Sequence, residues 1–300
     1  MTLTTISVHD LTKRYGSFEA VSHLTLDVEP GSICGLLGPN GAGKTTAFKC
    51  ILGLARPTAG SIAIEGAPVT PKTFETTAYV PERNVLHEWM TVGEHVELNR
   101  RSNPKHDPKR ADELLATFKL DRRKKVKRLS KGQKTALMLI LALSIRPRIL
   151  VLDEPSSGLD PIFQRVVLDL MIDAAAGGAT ILFSSHQIGQ VERAADRVAI
   201  LKQGRLVLDG TVDELKGSQK IVEAIFEDSV PSLNGLAADA RILRVERVGR
   251  VYRAYVREGG DEIARRLDAL GPKSVSVLDL NLEDIFLNAV ADAKSPEDTI

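Results

Sequence analysis

The segment "GPNGAGKTT", residues 38–46, sets glycines, a lysine and two threonines at a spacing suited to holding a row of phosphates. It satisfies the pattern G-x-x-x-x-G-K-[ST] with Gly38, Gly43, Lys44 and Thr45. Glycines let such a loop, with Pro39, Asn40, Gly41 and Ala42 as its body, wrap closely enough for backbone N–H groups to face phosphate oxygens. Lys44 then reaches the β- and γ-phosphates, Thr45 offers a hydroxyl to Mg2+, and Thr46 leads into the following helix.

Such a loop needs a metal-holding acid, and the chain has one. In "RILVLDEP", residues 148–155, four apolar residues run into Asp153. That pattern describes a buried strand carrying a carboxylate to its C-terminal end, where ligands of α/β sheets gather. Asp153 is placed to support Mg2+, and Glu154 beside it to accept a proton from an attacking water. A further segment, "RLSKGQKTALMLILAL" (128–143), puts a polar turn before an apolar helix. Ser130 and Gln133 fit a capping box, which accounts for both. It leaves Gly132 unexplained, since glycine in a first helical turn costs about 1 kcal/mol against alanine. An anion approaching the helix start, where free N–H groups and the dipole favour negative charge, is the competing reading.

Alternating elements must position these groups. Short β-branched runs recur as "ISVHDL", "LTLDV", "SICGLL", "SIAIEG", "AYVP", "RILVLD", "ATILFSS" and "RVAIL". Several are nearly continuous in apolar residues, as strands buried on both faces of a parallel sheet are. Helical periodicity falls at 44–54, 91–101, 108–118, 133–146, 161–176 and 187–194, which makes the region α/β. Residues 88–147 read as purely helical, an inserted subdomain. Beyond "KGSQK" the texture changes to strands at "KIVEAIFED", "RILRVERV", "RVYRAYVR" and "KSVSVLDL", with helices at 261–270 and 282–292. We therefore place one domain at 1–217 and a small α+β domain at 218–300, with "AKSPEDTI" as a frayed tail.

Composition narrows the classes. The 300 residues are 43% hydrophobic and 26% charged, as in folded globular chains. A net charge of +1 gives no global basic field, so nucleic acid is not the expected partner. The basic run "KLDRRKKVKRLSK" (119–131) reads as solvated surface, with a contribution to the field around an anionic ligand as the alternative. Cys34 and Cys50 make no disulfide framework, which fits a reducing compartment. The opening residues lack the pattern of a signal peptide, and no apolar stretch reaches the 18 residues or so of a membrane span.

Taken together, "GPNGAGKTT", "LSKGQ", "LVLDEP", "SSGLD" and "SSH", in that order, resemble the ATPase subunit of ATP-binding cassette (ABC) transporters over residues 3–216. The resemblance implies a P-loop NTPase: a RecA-like core with a mainly parallel sheet, an antiparallel β edge and the inserted helical subdomain. It implies ATP and Mg2+ as cofactors. Tyr15 would stack on adenine, although a half-buried strand-end aromatic is its plainer reading. Glu154, His186, Lys44 and Glu82 form the implied catalytic set, with His186 contacting the γ-phosphate, and Thr45, Glu82 and Asp153 hold the metal. Ser130, Gly132 and Gln133 would contact the γ-phosphate held by a second copy, and Asp160 would sit at that subunit contact. Two ATP molecules would thus join two subunits head to tail, beside separate transmembrane permease subunits, on the cytoplasmic face of the cell membrane.

Two residues depart from the family pattern. Lys131 stands where glycine is usual; it reads as pointing to solvent, or as adding charge toward the triphosphate, and would be strained if φ there were positive. Glu82 stands where glutamine is common; it keeps an acceptor but loses an amide donor, which predicts slower or differently regulated hydrolysis. Trp89 is expected to pack the helical subdomain, although the family receives a helix of its membrane partner nearby. The end, "NLEDIFLNAV", resembles the tail of drug- and polyketide-export cassettes. It also reads as a helix capped by Asn281, with Leu282, Ile285, Phe286 and Ala289 on one face. Export is the implied direction. The alternatives are a soluble cassette ATPase outside transport and a nucleotide-gated module with little turnover.

Overall fold

The chain opens with a hairpin, β1 (Ile6–Tyr15) and β2 (Phe18–Val28), and then enters β3 (Ile33–Leu37), whose five residues are all buried. The computed structural model describes residues 4–227, 236 and 239–290; the tail at 293–300 lies outside the described residues. After β3 come α1 (Lys44–Ile51), β4 (Ala59–Ile64), β5 (Thr77–Val80), α2 (Val92–Ser102), α3 (Pro108–Thr117) and α4 (Lys131–Leu143). The α/β alternation resumes with β6 (Ile149–Asp153), α5 (Pro161–Ala176), β7 (Thr180–Ser185), α6 (Ile188–Ala194) and β8 (Arg197–Lys202). Then follow β9 (Arg205–Thr211) and α7 (Val212–Ser218), two elements the hydropathy pattern did not single out.

Six strands form one sheet in the order β5-β6-β7-β3-β8-β9, parallel from β5 through β8. Three form a separate antiparallel sheet, β2-β1-β4. One apolar cluster joins them: Ala47, Phe48 and Ile51 of α1 pack with Val21 and Leu24 of β2 and with Cys34, Val151 and Leu182 of the larger sheet. Helix α1 therefore draws its stability from burial rather than from its length of eight residues, which is marginal alone. Both cysteines are buried free thiols, and burial pushes the Cys50 thiol up.

The stretch 88–147 is not purely helical. Val92 N donates to Lys124 O (3.0 Å) and Val126 N to Met90 O (2.9 Å), so the segments flanking an isolated Thr91–Lys125 bridge satisfy each other's backbone groups. Thr91 must be extended to cap α2: it accepts from Glu94 N while the Glu94 side chain returns to Thr91 N at 2.6 Å.

Contacts divide the chain into units 1–208 and 209–300, so the division falls inside β9, earlier than the composition shift at 217. Helix α7 belongs to the second unit, where it packs against the helix Leu282–Val290. That unit is built on an antiparallel sheet of β10 (Lys220–Ile225), β11 (Ile242–Val248), β12 (Val251–Val256) and β13 (Ser274–Asp279), ordered β11-β12-β10-β13. Ile263 and Leu267 of the helix Gly260–Asp268 cover Val222, Ala224, Tyr252 and Val256 on one face. On the other, Arg253 pairs with Glu223 (2.7 Å) and the Arg244 guanidinium lies 3.9 Å from the Tyr255 ring centroid. Asn281 Oδ1 accepts from Asp284 N (2.8 Å) at the start of the last helix. Among the described residues no helix is long and apolar enough to cross a membrane.

Phe48 is fully buried on the helix that carries Lys44 and Thr45. Phe48→Ala is expected to lower the unfolding free energy of the first unit by about 3–5 kcal/mol, measured by urea denaturation.

Candidate functional site

The C-terminal ends of β3, β6 and β7 bring the polar residues together. The loop after β3 closes on α1 through Gly43, which has φ 105° and whose added Cβ would stand 2.4 Å from Ala20 O. No side chain fits there. Lys44 Nζ donates to Gly38 O (2.7 Å) and lies 3.7 Å from Glu154 Oε1, with both side chains 8% exposed. Thr45 Oγ1 donates to Asp153 Oδ2 and Ser184 Oγ to Asp153 Oδ1, each at 2.7 Å. Ser184 Oγ in turn accepts from Glu154 N at 2.9 Å. Asp153 is thus buried with both oxygens paired, as a buried carboxylate must be.

Glu154 has φ 52°, a left-handed conformation that costs a non-glycine residue about 1–3 kcal/mol. The His186 ring Nδ1 donates to Glu154 Oε2 at 2.8 Å. A cleft of about 460 Å³ is lined by residues 40–46 together with Asp153, Glu154, His186, Glu82, Ser157 and Phe18. Burial first, then the charges of Asp153 and Glu82, push the Tyr79 phenol up, so it stays neutral beside the cleft. The hydroxyl and carboxylate oxygens at Thr45 and Asp153, with Glu82 on the same cleft, are hard donors of the kind Mg2+ takes alongside phosphate oxygens.

Several residues singled out in the sequence stand elsewhere. Tyr15, half-exposed with Lys13 Nζ 4.7 Å over its ring, does not line the cleft. Its cross-strand neighbour Phe18 does, and an aromatic at a hairpin end carried no signal of that. Ser184, inside "SSH", carried no assigned role, and neither did Tyr79, because the place of each depends on the strand order. Ser130, Gly132, Gln133 and Asp160 also lie off the cleft. Asp160 caps α5 by accepting from Ile162 N and Phe163 N, each at 3.0 Å.

At the start of α4 the capping box is present: Gln133 N donates to Ser130 Oγ, and Ser130 N donates to Gln133 Oε1, each at 3.2 Å. Gly132 has an occupant within its own chain. A Cβ there would stand 3.0 Å from Gly158 O and 3.2 Å from Leu159 Cδ2, so the missing side chain admits the loop after Glu154. Lys131 is the first residue of α4, with helical backbone, so the strain considered for it is absent. It is exposed, and its Nζ donates to Ser157 Oγ at 3.3 Å. The packing expected of Trp89 is not found: the ring is 70% exposed, because it sits in a turn closed by Met90 N on His87 O (3.1 Å) and Met90 takes the inward place. Most side chains of the basic run 119–131 are exposed, with Arg122 paired to Asp112.

Comparison with known proteins places this geometry. The family model described as ABC transporter matches residues 21–157. The chain is 31% identical over 285 residues to the ABC transporter ATP-binding protein YtrB of Bacillus subtilis, covering 94% of this chain and 97% of that one. It is 33% identical over 301 residues to the Nod factor export ATP-binding protein I of Rhizobium etli, covering 96% and 93%. A solved ATP-binding subunit of an ABC transporter aligns with TM-score 0.66 and 34% identity, over 71% of this chain and 92% of that one.

Gly43→Ala forces a methyl group into the Ala20 carbonyl. It is expected to cost about 1–3 kcal/mol of strain and to abolish measurable binding of a fluorescent ATP analogue while the far-UV spectrum is kept.

Proposed function

Because the chain belongs to the family of ABC transporter ATP-binding proteins, we propose that it hydrolyses MgATP at the cleft between β3 and β6 to power export through separate membrane subunits. The single observation that carries this reading is the convergence of Lys44, Thr45, Asp153, Glu154 and His186 at one set of strand ends. Thr45 and Asp153, with Glu82 on the same cleft, would hold Mg2+, which would supply charge neutralisation to the phosphates. Lys44 adds a fixed cation, and the loop amides orient the triphosphate. Glu154 takes the proton of the attacking water, while His186 holds the Glu154 carboxylate in place and reaches the γ-phosphate. Glu82 keeps an acceptor for Mg2+ or water but loses the amide donor of glutamine, so hydrolysis is slower or differently regulated than with glutamine.

Ser130, Gly132 and Gln133 serve the nucleotide of a second, identical copy. In support, Ser130 is exposed, lies off its own cleft, and stands at a helix start whose cap aligns the N–H donors. Asp160 lies at the same subunit contact. Each nucleotide then bridges two subunits, so hydrolysis removes the ligand the closed pair requires and converts chemical energy into motion. Exposed Trp89, with Val85 67% exposed nearby, offers the permease subunit an apolar foothold and keeps the protein peripheral on the cytoplasmic side of the membrane. Likeness to a Nod factor export protein over almost the whole chain supports the export direction. Among the described residues the C-terminal unit carries no acid–base pair of this kind, and it acts as an accessory.

Glu154→Gln is expected to lower turnover about a hundredfold or more while MgATP binding persists, and to elute as a dimer with MgATP but as a monomer with EDTA. Size-exclusion chromatography with light scattering reads this directly; a monomer at saturating MgATP, also in the presence of the membrane subunits, overturns the two-sided nucleotide site. Trp89→Ala should leave ATP turnover of the isolated chain unchanged and reduce its co-purification with those subunits.

A further inference from the structure

Away from the cleft lining, the side-chain amide of Gln190 on α6 is engaged on three sides. The residue is 8% exposed. Its Oε1 accepts from Ser156 Oγ at 2.5 Å, and its Nε2 donates to Gln187 Oε1 at 2.5 Å and to Gln164 Oε1 at 3.1 Å. The amide orientations agree with one another. Gln164 donates its own Nε2 to Leu159 O (3.1 Å), which leaves Gln164 Oε1 as the acceptor facing Gln190.

Each partner comes from a different part of the site. Ser156, itself 2% exposed, lies on the loop leaving Glu154. Gln187 follows His186 in the chain and begins the turn into α6. Gln164 stands on α5 and returns the network to Leu159, the residue whose Cδ2 fills the space beside Gly132. The amide therefore joins the two segments whose side chains meet in the 2.8 Å contact of His186 with Glu154, and ties both to the loop that supports the start of α4. None of Ser156, Gln164, Gln187 or Gln190 lines the cleft, so the network acts only through the residues it holds.

We propose that Gln190 is a positioning residue whose buried amide locks the His186 turn to the loop behind Glu154 and sets the Glu154–His186 pair against the helix start at Gly132. The inference rests on the proposed ATPase roles of Glu154 and His186. Loss of the amide frees the two segments to move separately. A small displacement of reacting groups by a change outside the site lowers the chemical step more than it lowers binding.

The test uses the full chain with Gln190→Met, which keeps the volume and removes all three bonds, and Ser156→Ala, which removes one. For Gln190→Met, kcat for ATP is expected to fall about tenfold or more, with KM changed by less than about threefold. Amide hydrogen exchange should rise about tenfold at 156–159 and 186–189 while β6 and β7 keep wild-type protection. Ser156→Ala should shift both readouts in the same direction by less, and it carries the test if Gln190→Met does not fold. Wild-type kcat with wild-type exchange overturns the inference, and so does exchange that rises equally throughout β6 and β7, which would mark general loosening. If the wild-type chain itself hydrolyses no ATP, the proposed function fails, and the exchange pattern alone decides the role of Gln190.

Discussion

Two hydrogen bonds to one buried carboxylate hold the site together. Asp153 receives Thr45 on one oxygen and Ser184 on the other, and the three residues come from three distant stretches of chain. A carboxylate 1% exposed cannot stand without such partners, so the phosphate loop, β6 and β7 must keep their relative places. The parallel order β6-β7-β3 supplies that arrangement, because it ends the three strands on one side of the sheet. Glu154 follows directly. Its left-handed backbone is held by Ser184 at its N–H, and its side chain is left between Lys44 and His186.

An anion near the backbone and a satisfied cap are alternative explanations for a sequence such as "LSKGQ", and only the cap can be seen in local geometry. Gly132 turns out to admit a carbonyl of the chain's own loop, which physically links the helix start to the segment that leaves Glu154. Lys131 reinforces that link from outside by reaching Ser157. A residue that departs from the family pattern thus remains in contact with the cleft-lining loop, through a side chain where glycine would offer only backbone.

The C-terminal unit is organised on different terms. Its sheet buries Val222, Ala224, Tyr252 and Val256 beneath one helix and carries charged pairs on the other face. Asp239, held well below the usual carboxylate range by Arg241, with Arg266 also bonded to it, anchors the approach to β11. These bonds specify a fold and show no arrangement for moving protons, in contrast to the Asp153–Glu154–His186 cluster.

What the sequence determined by itself was whatever short spacing controls: the phosphate loop, the strand ending in Asp153, the Ser130–Gln133 cap, and most helices and strands. In each case the residues that interact are within a few positions of one another, so their order encodes the geometry. Tertiary structure decided the rest. The exposure of Trp89 required residues 88–92 to pair with 124–127, about which helical periodicity says nothing. Helix α7 opens on a local Thr211–Glu214 capping box, a signal that hydropathy alone passes over. The place of Phe18 rather than Tyr15 at the cleft, the neutral Tyr79 and the Gln190 network all depend on which strand lies beside which. Contacts between segments tens of residues apart exist only once the sheet is assembled, and no local spacing can record them.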